Sequence, residues 1–356
     1  MSTRRVPYAR LVRIHKFSST DAFVAIDLDD AEASSGPIRW ARKVLQGGAK
    51  DLARSQTYTY AVLGMKRGGA SGGISADGAD RDRAIAAFVA EAADLVAAGT
   101  YLPDAAKGVS ETDLAALRDA DERDTARLGD GPPSFVDRCD GLSAAVAAHH
   151  TAAGLTGKSV AIEGFADNGG SLAAAAIERG GLVTSVSTGT GTITNPSGFA
   201  AQDLIDGWAA KGADMVEDLG EVGHPMSIFA SGADVWFVGS KMGVVDHEVA
   251  AQIGEASAVV ASGRVPLTAR ALAVFRRAGV AVPADFVSLA GSTLALWGDP
   301  NRTEAEILAG INEDVGDMTA EFKLHDDGPF LAACFEAESF LSSWQESLPF
   351  GRPLAP

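Results

Sequence analysis

The sequence predicts an α/β protein of two domains with a helical C-terminal segment, and three observations carry that prediction. The chain has 356 residues, enough for two separate cores. Residues 158–188 read as a strand, "KSVAIEGF", a small-residue helix, "GGSLAAAAIERGG", and a second strand, "LVTSVST", which is the βαβ unit of a doubly wound sheet. Strand–helix alternation then continues to about residue 300 and gives way to helical periodicity over 303–345. The expected division is an N-terminal α/β domain over 1–140, a doubly wound domain over 141–300, and C-terminal helices over 301–356 that return to the first domain.

Taken in order, "ARLVRIHKF" (9–17) and "AFVAIDLDD" (22–30) read as strands, followed by an amphipathic helix over about 41–63. "GMKRGGASGGISAD" (64–77) reads as a glycine-rich loop whose backbone can approach a ligand closely. Its central side chain is Ser71, a weak nucleophile with no base beside it in sequence. A helix over 80–99 starts near Asp80 or Asp82 and stops at Gly99. Ser110 with Asp113 three residues on spells a capping-box variant, and "LGDGPPSF" (128–135) is the best linker. A helix over about 140–153 precedes the βαβ unit. Beyond that unit, "DVWFVGS", "HEVAAQIG", "SAVVASG" and "LTARALAVFRRAG" extend the alternation, and 303–345 reads as two or three helices.

Composition excludes several classes. A formal net charge of -17 argues against nucleic acid and anionic membrane surfaces as partners. Cys139 and Cys334 stand far apart without metal-ligand spacing, which fits a reducing cytoplasm and gives no disulfide framework. His149 and His150 are adjacent, and His224 and His247 have no partners at ligand spacing, so no metal site is expected. The start has no continuous apolar stretch and no run of 18 apolar residues follows, so neither export nor a membrane span is expected.

"VAIEGFADNGGSLAAAA" follows a strand and opens a helix, the context in which a glycine turn can seat a pyrophosphate. Gly164, Phe165, Asn168, Gly169, Gly170 and Ser171 are the expected dinucleotide turn. The strict spacing is broken, with Ala166 at the second glycine and an acidic Asp167 beside the anion site. The next strand ends at Thr188, where an acidic residue would grip the adenosine ribose. A hydroxyl there does not repel a 2′-phosphate, so the cofactor is NAD or NADP, leaning to NADP. The alternative is a Rossmann-type core without a cofactor.

Five blocks, in order, resemble the Glu/Leu/Phe/Val (amino-acid) dehydrogenase family: "LARSQTYTYAVLGMKRGGASGGI" (52–74), "YLPDAAKGVSETDL" (101–114), "KSVAIEGFADNGGSLAAAAIERGGLVTSVSTGTGTITNPSGF" (158–199), "DVWFVGSKMGVV" (234–245) and "GVAVPADFVSLAGS" (279–292). The resemblance implies a Rossmann-type nucleotide domain, a small-molecule substrate and a homo-oligomer. It also implies two lysines that bind the substrate carboxylate and assist catalysis, and these positions fall on Thr59 and Ser71. The proton-shuttling aspartate falls on Ala106, the Gly-Gly of the substrate loop on Trp40 and Ala41, and the late asparagine on Leu289.

A substrate cleft is therefore expected from Arg39, Trp40, Gly68, Gly69, Ser71 and Leu289, with Lys66, Ser71 and Lys107 as candidates for catalysis. Arg42, Lys43 and Arg67 add positive charge suited to an anion or form a solvated edge, and Asp104 is a carboxylate two residues from the lost one. Three functions remain open. The first is an NAD(P)-dependent oxidoreductase with an altered site, acting on something other than an ordinary α-amino acid. The others are a non-catalytic partner subunit or ligand-binding protein, and an amino-acid dehydrogenase with relocated catalytic groups.

Overall fold

The computed structural model describes residues 8–10 (backbone), 12–129 and 133–356. The basic start of the chain, Leu11 and residues 130–132 of the expected linker lie outside the described residues. The chain divides into two units, Met1–Asp130 with Cys334–Pro353, and Gly131–Ala333 with Leu354–Pro356.

The first unit contains β1 (Tyr8–Arg10), β2 (Arg13–Lys16), β3 (Ala22–Ile26), β4 (Ser34–Ala41), α1 (Gln46–Val62), β5 (Gly68–Ser75), α2 (Arg81–Ala97), β6 (Leu102–Ala105) and α3 (Glu111–Leu114). Five of the strands form a sheet in the order β2-β3-β5-β4-β6. β3 is antiparallel to β2 and β5, and β4 is parallel to β5 and β6. The first helix starts at Gln46 rather than near 41, because Arg39, Trp40 and Ala41 still pair with Gly73, Ile74 and Ser75.

The glycine-rich stretch expected as a loop is the central strand β5, buried from Gly68 to Ile74. Its glycines serve packing. A Cβ on Gly69 would lie 1.8 Å from the Ala53 carbonyl oxygen and 2.5 Å from the Thr57 nitrogen, so α1 rests directly on the strand backbone. The Gly69 N–H donates to Thr57 Oγ1 at 2.9 Å. On Gly72 an added Cβ would meet Ile38, and on Gly73 it would meet Val44. Composition alone does not separate a glycine loop from a glycine strand; the ladder partners on both sides of β5 do.

Ser110 and Asp113 form the capping box their spacing predicts, with Ser110 N–H donating to the Asp113 carboxylate at 2.7 Å. The helix it starts is only one turn long and continues as a 3₁₀ turn over 115–120.

The second unit opens with α4 (Phe135–Thr151), begun by another capping box, Ser134 with Asp137. It continues through β7 (Ser159–Glu163), α5 (Gly169–Glu178), β8 (Leu182–Ser187), β9 (Thr192–Thr194), α6 (Ala201–Lys211), α7 (Val216–Leu219), β10 (Val235–Val238), α8 (His247–Ile253) and β11 (Ala258–Ala261). Then come α9 (Ala269–Ala278), α10 (Asp285–Ser288), α11 (Gly291–Trp297) and α12 (Glu304–Lys323). The sheet order is β11-β10-β7-β8-β9, parallel except for β9, which forms a hairpin with β8. β10 and β11 are buried along their whole length, as strands covered by helices on both faces must be. Trp236 stacks on Phe229 in this core at 5.8 Å.

The segment 303–345 resolves into two helices, α12 and α13 (Pro329–Ser342), and the division between units falls within α13. In the first unit, β12 (Leu348–Pro349) then pairs in parallel with β1.

Because the Ala53 carbonyl cannot move without breaking α1, Gly69→Ala should destabilise the first unit by about 3 kcal/mol or more. Gly78→Ala, where nothing lies within 4 Å of the added carbon, should be nearly neutral. Denaturant unfolding of the two variants checks this, and similar midpoints would refute it.

Candidate functional site

In the second unit β7 lies between β8 and β10. The chain leaving β7 turns to β8 on one side and the chain leaving β10 turns to β11 on the other, so the strand order reverses between β7 and β10. Such a switch point opens a crevice where open α/β sheets bind ligands. Buried Glu163 ends β7 and accepts the Gly239 and Ser240 N–H groups at 3.0 and 3.1 Å, tying the exit of β10 to it. Gly164 follows with φ +77°, and a Cβ there would sit 2.4 Å from the Ser240 nitrogen. Positive φ and close backbone approach both require glycine. The Phe165 N–H donates to the Ser187 carbonyl at 2.8 Å, which pins the turn to the tip of β8.

Asn168, Gly169, Gly170 and Ser171 form the entry to α5. Gly169 makes room for the Phe165 ring and Gly170 for Ile205 of α6, so both glycines are used in packing the helix. The Asn168 side chain donates to the Ser262 carbonyl at 3.0 Å and makes no cap on α5. The first-turn amides are thus not taken by a capping side chain, the arrangement that suits an anion. Asp167, whose charge would oppose one, accepts the Trp208 Nε1–H at 2.9 Å and does not cap the helix either. Buried Thr188 donates its hydroxyl to the Ala213 carbonyl at 2.7 Å and accepts the Thr190 N–H at 3.1 Å. The six residues expected at the dinucleotide turn and Thr188, expected near the ribose, therefore lie at the carboxyl ends of β7 and β8. Glu163, Ser240 and Ser262 escaped the sequence; an acid closing the buried run "VAIE" was the signal for the first.

Buried Leu289 precedes α11, and its carbonyl lies 3.4 Å from an Arg264 guanidinium nitrogen. The Ser292 N–H donates to Asp140 on α4 at 2.7 Å. Burial pushes the Asp140 carboxyl up to about 6, opposed by Arg264 and the hydrogen bonds from Ser292.

In the first unit, Thr59 and Ser71 are fully buried. The Thr59 hydroxyl donates to the Ser55 carbonyl at 3.1 Å and the Ser71 hydroxyl to the Pro37 carbonyl at 3.0 Å. Gly68, Gly69 and Ser71, expected to line a loop, are instead enclosed in β5. Ala106 is half-buried just beyond β6. Asp104 does not stand in for the missing aspartate, because buried Arg123 holds its carboxylate. Arg123 also grips Asp121 at 2.7 Å, and Arg118 bridges Asp121 and Glu111 at 3.1 and 2.5 Å. Arg39 is half-buried, and desolvation lowers its pKa against the field of Tyr101.

The Trp40 N–H donates to the Lys107 carbonyl at 2.9 Å, and the Arg81 guanidinium lies 6.0 Å from the Trp40 ring centre. Lys66 and Lys107 are both exposed. Lys66 precedes Gly68 at one end of β5, whereas Lys107 is level with the Trp40–Ile74 pair at the other. At about 3.3 Å per residue the sheet holds them about 20 Å apart. Arg67 pairs with Glu122 at 3.3 Å and Arg42 with Asp77 at 3.6 Å.

The raised Asp140 pKa means that the native state holds this proton more tightly than the unfolded chain. Its contribution to stability therefore falls as pH rises from about 4 to about 6 and is constant above that. Relative to Asp140→Asn, the unaltered chain should lose up to about 3 kcal/mol between pH 4 and 7.5. Urea denaturation at both pH values measures this, and equal pH dependence would refute it.

Residues 13–122 match the Glu/Leu/Phe/Val dehydrogenase dimerisation domain, and residues 141–295 match the Glutamate/Leucine/Phenylalanine/Valine dehydrogenase family. Among solved structures, the chain is similar to the hetero-hexameric glutamate dehydrogenase of Thermus thermophilus in its Leu-bound form, with a TM-score of 0.74 and 21% identity over 90% of this chain and 84% of that one. A leucine-for-lysine mutant of glutamate dehydrogenase gives 0.76 and 17% over 96% and 87%. The glutamate dehydrogenase of Peptoniphilus asaccharolyticus gives 0.66 and 16% over 91% and 87%. At these identities the structural likeness speaks to fold. With both halves matched in order by the family's own sequence patterns, the chain belongs to the Glu/Leu/Phe/Val dehydrogenase family.

Proposed function

We propose that this chain is an NAD(P)-dependent oxidoreductase whose substrate is not an ordinary α-amino acid. The observation that carries this is the condition of Thr59 and Ser71. At the positions where the resemblance expects substrate-binding and catalytic lysines, the chain has buried hydroxyls whose protons go to main-chain carbonyls. Neither can bind a carboxylate as a cation or move a proton at neutral pH. Ala106 removes the third group, and Asp104 is neutralised by Arg123. Oxidative deamination needs a proton taken from an ammonium and a water activated against an iminium, and these residues supply neither.

The family uses NAD or NADP, and the second unit has residues that fit such a molecule. Gly164 and Phe165 would form the close turn, the uncapped first turn of α5 would take the pyrophosphate, and Thr188 would lie toward the adenosine end. Bound NAD or NADP supplies the hydride donor or acceptor, so a reaction that needs little proton transfer is compatible with these substitutions. Among substrate-facing candidates, Arg39, Trp40 and Lys107 lie toward the carboxyl end of the first unit's sheet, where a guanidinium can bind an anionic group. Self-association into a homo-oligomer accompanies this reading.

A second reading, a partner subunit without turnover, rests on the same hydroxyls. The Thermus thermophilus glutamate dehydrogenase is a hetero-hexamer, which gives unlike chains a place in such assemblies. A cofactor titration separates the two. NAD or NADP should change the fluorescence of Trp208, which contacts Asp167 beside α5, and at 100 Kd should stabilise the chain by about 2.7 kcal/mol. Millimolar dinucleotide without either effect favours the partner subunit. Oxidation of glutamate, leucine, phenylalanine and valine should be slowed roughly 10²–10⁴-fold for each missing acid–base group. Turnover at the ordinary rate of an amino-acid dehydrogenase would overturn the proposal.

A further inference from the structure

We propose that Asp214 makes the second unit select NAD over NADP, supplying from the 3₁₀ turn after α6 the carboxylate that the end of β8 lacks. The inference rests on the reading that the crevice at β7 and β8 binds a dinucleotide.

Thr188, taken alone, would tolerate a 2′-phosphate. Its hydroxyl, however, is turned inward to the Ala213 carbonyl at 2.7 Å. What the tip of the β8–β9 hairpin offers to solvent comes from the next two residues and from the segment bonded to them. Thr190 donates its hydroxyl to the Asp214 carboxylate at 2.6 Å, which fixes an exposed carboxylate against the hairpin one residue beyond the Ala213 carbonyl. Gly189, at the tip, is exposed and has no atom beyond its chain neighbours within 4 Å of where a Cβ would stand, so the outward side of the tip is open. The same tip adjoins the Gly164–Phe165 turn through the Phe165 N–H to Ser187 carbonyl bond at 2.8 Å. A molecule whose pyrophosphate lies at α5 would bring its adenosine ribose to this hairpin.

The charges around it select between the two cofactors. A ribose 2′-hydroxyl donates to a carboxylate, whereas a 2′-phosphate carries nearly two negative charges and demands cations. Asp214 is followed by Glu217 and Asp218, and Lys211 is already paired with Asp218 at 2.6 Å. Three carboxylates against one committed ammonium repel a phosphate and favour a hydroxyl.

The test measures dissociation constants of NAD and NADP for the full-length protein by Trp208 fluorescence, with three chains compared. Unaltered protein should bind NAD at least about tenfold more tightly than NADP, the scale of one charge-assisted hydrogen bond. Asp214→Ser should weaken NAD and strengthen NADP so that the preference narrows to about threefold or less. Thr190→Val, which frees the carboxylate without removing its charge, should weaken NAD and leave NADP no tighter. Circular dichroism and melting midpoints confirm that each variant is folded, as substitution at exposed Asp214 and half-buried Thr190 allows. Equal or tighter binding of NADP to the unaltered chain, or an unchanged ratio in Asp214→Ser, overturns the assignment while leaving dinucleotide binding intact. Binding of neither nucleotide overturns both this inference and the reading beneath it.

Discussion

The carbonyl oxygen of Ala53 and the main chain of Gly69 are so close that no side chain fits between them, and the first unit is arranged around that contact. It sets α1 directly on the sheet's central strand. Thr57 then reaches the Gly69 N–H, and Tyr58, Thr59 and Tyr60 are buried with it. Ser71, two residues along the strand, is enclosed by the same approach. The packing encloses both positions, 59 and 71, while the residues that stand there set their chemistry.

The second unit applies the same device to a different end. Gly164 meets the Ser240 backbone, and Gly239 meets the backbone of Gly263, so the exits of three parallel strands are drawn together at one edge. Glu163 closes the arrangement by accepting two amides from the neighbouring strand. The edge that results is rigid and carries an open helix start, and its side chains decide what it can hold. In the first unit, one cluster of charges around β6 forms a network of its own. Arg123 and Arg118 satisfy Asp104, Asp121 and Glu111 among themselves, and a buried ion network of this kind rewards completeness, since removing one member strands another charge.

Much of this was legible in the sequence. The βαβ unit and the capping box at Ser110 follow from periodicity and from residues with strong local preferences. The family resemblance was carried by blocks whose glycines and apolar runs keep their spacing. The character of 64–77 was not legible, because a buried glycine strand and a ligand loop have the same composition and only long-range pairing tells them apart. The start of α1 was misplaced for a similar reason, as Trp40 and Ala41 are held in the ladder by Ile74 and Ser75, more than thirty residues away. Asp140, Glu163 and Asp214 were missed because their partners, Ser292, Ser240 and Thr190, lie far off in sequence or belong to another element.

The strand at 68–75 also bears on how such chains are recognised. Its glycines answer to the helix above them, so they are kept for as long as the fold is kept, whether or not anything reacts nearby. A signature built on that stretch gathers proteins by architecture, and it will enrol silent descendants beside working enzymes. Telling the two apart falls to the few side chains interleaved with the glycines, whose identity the backbone does not dictate.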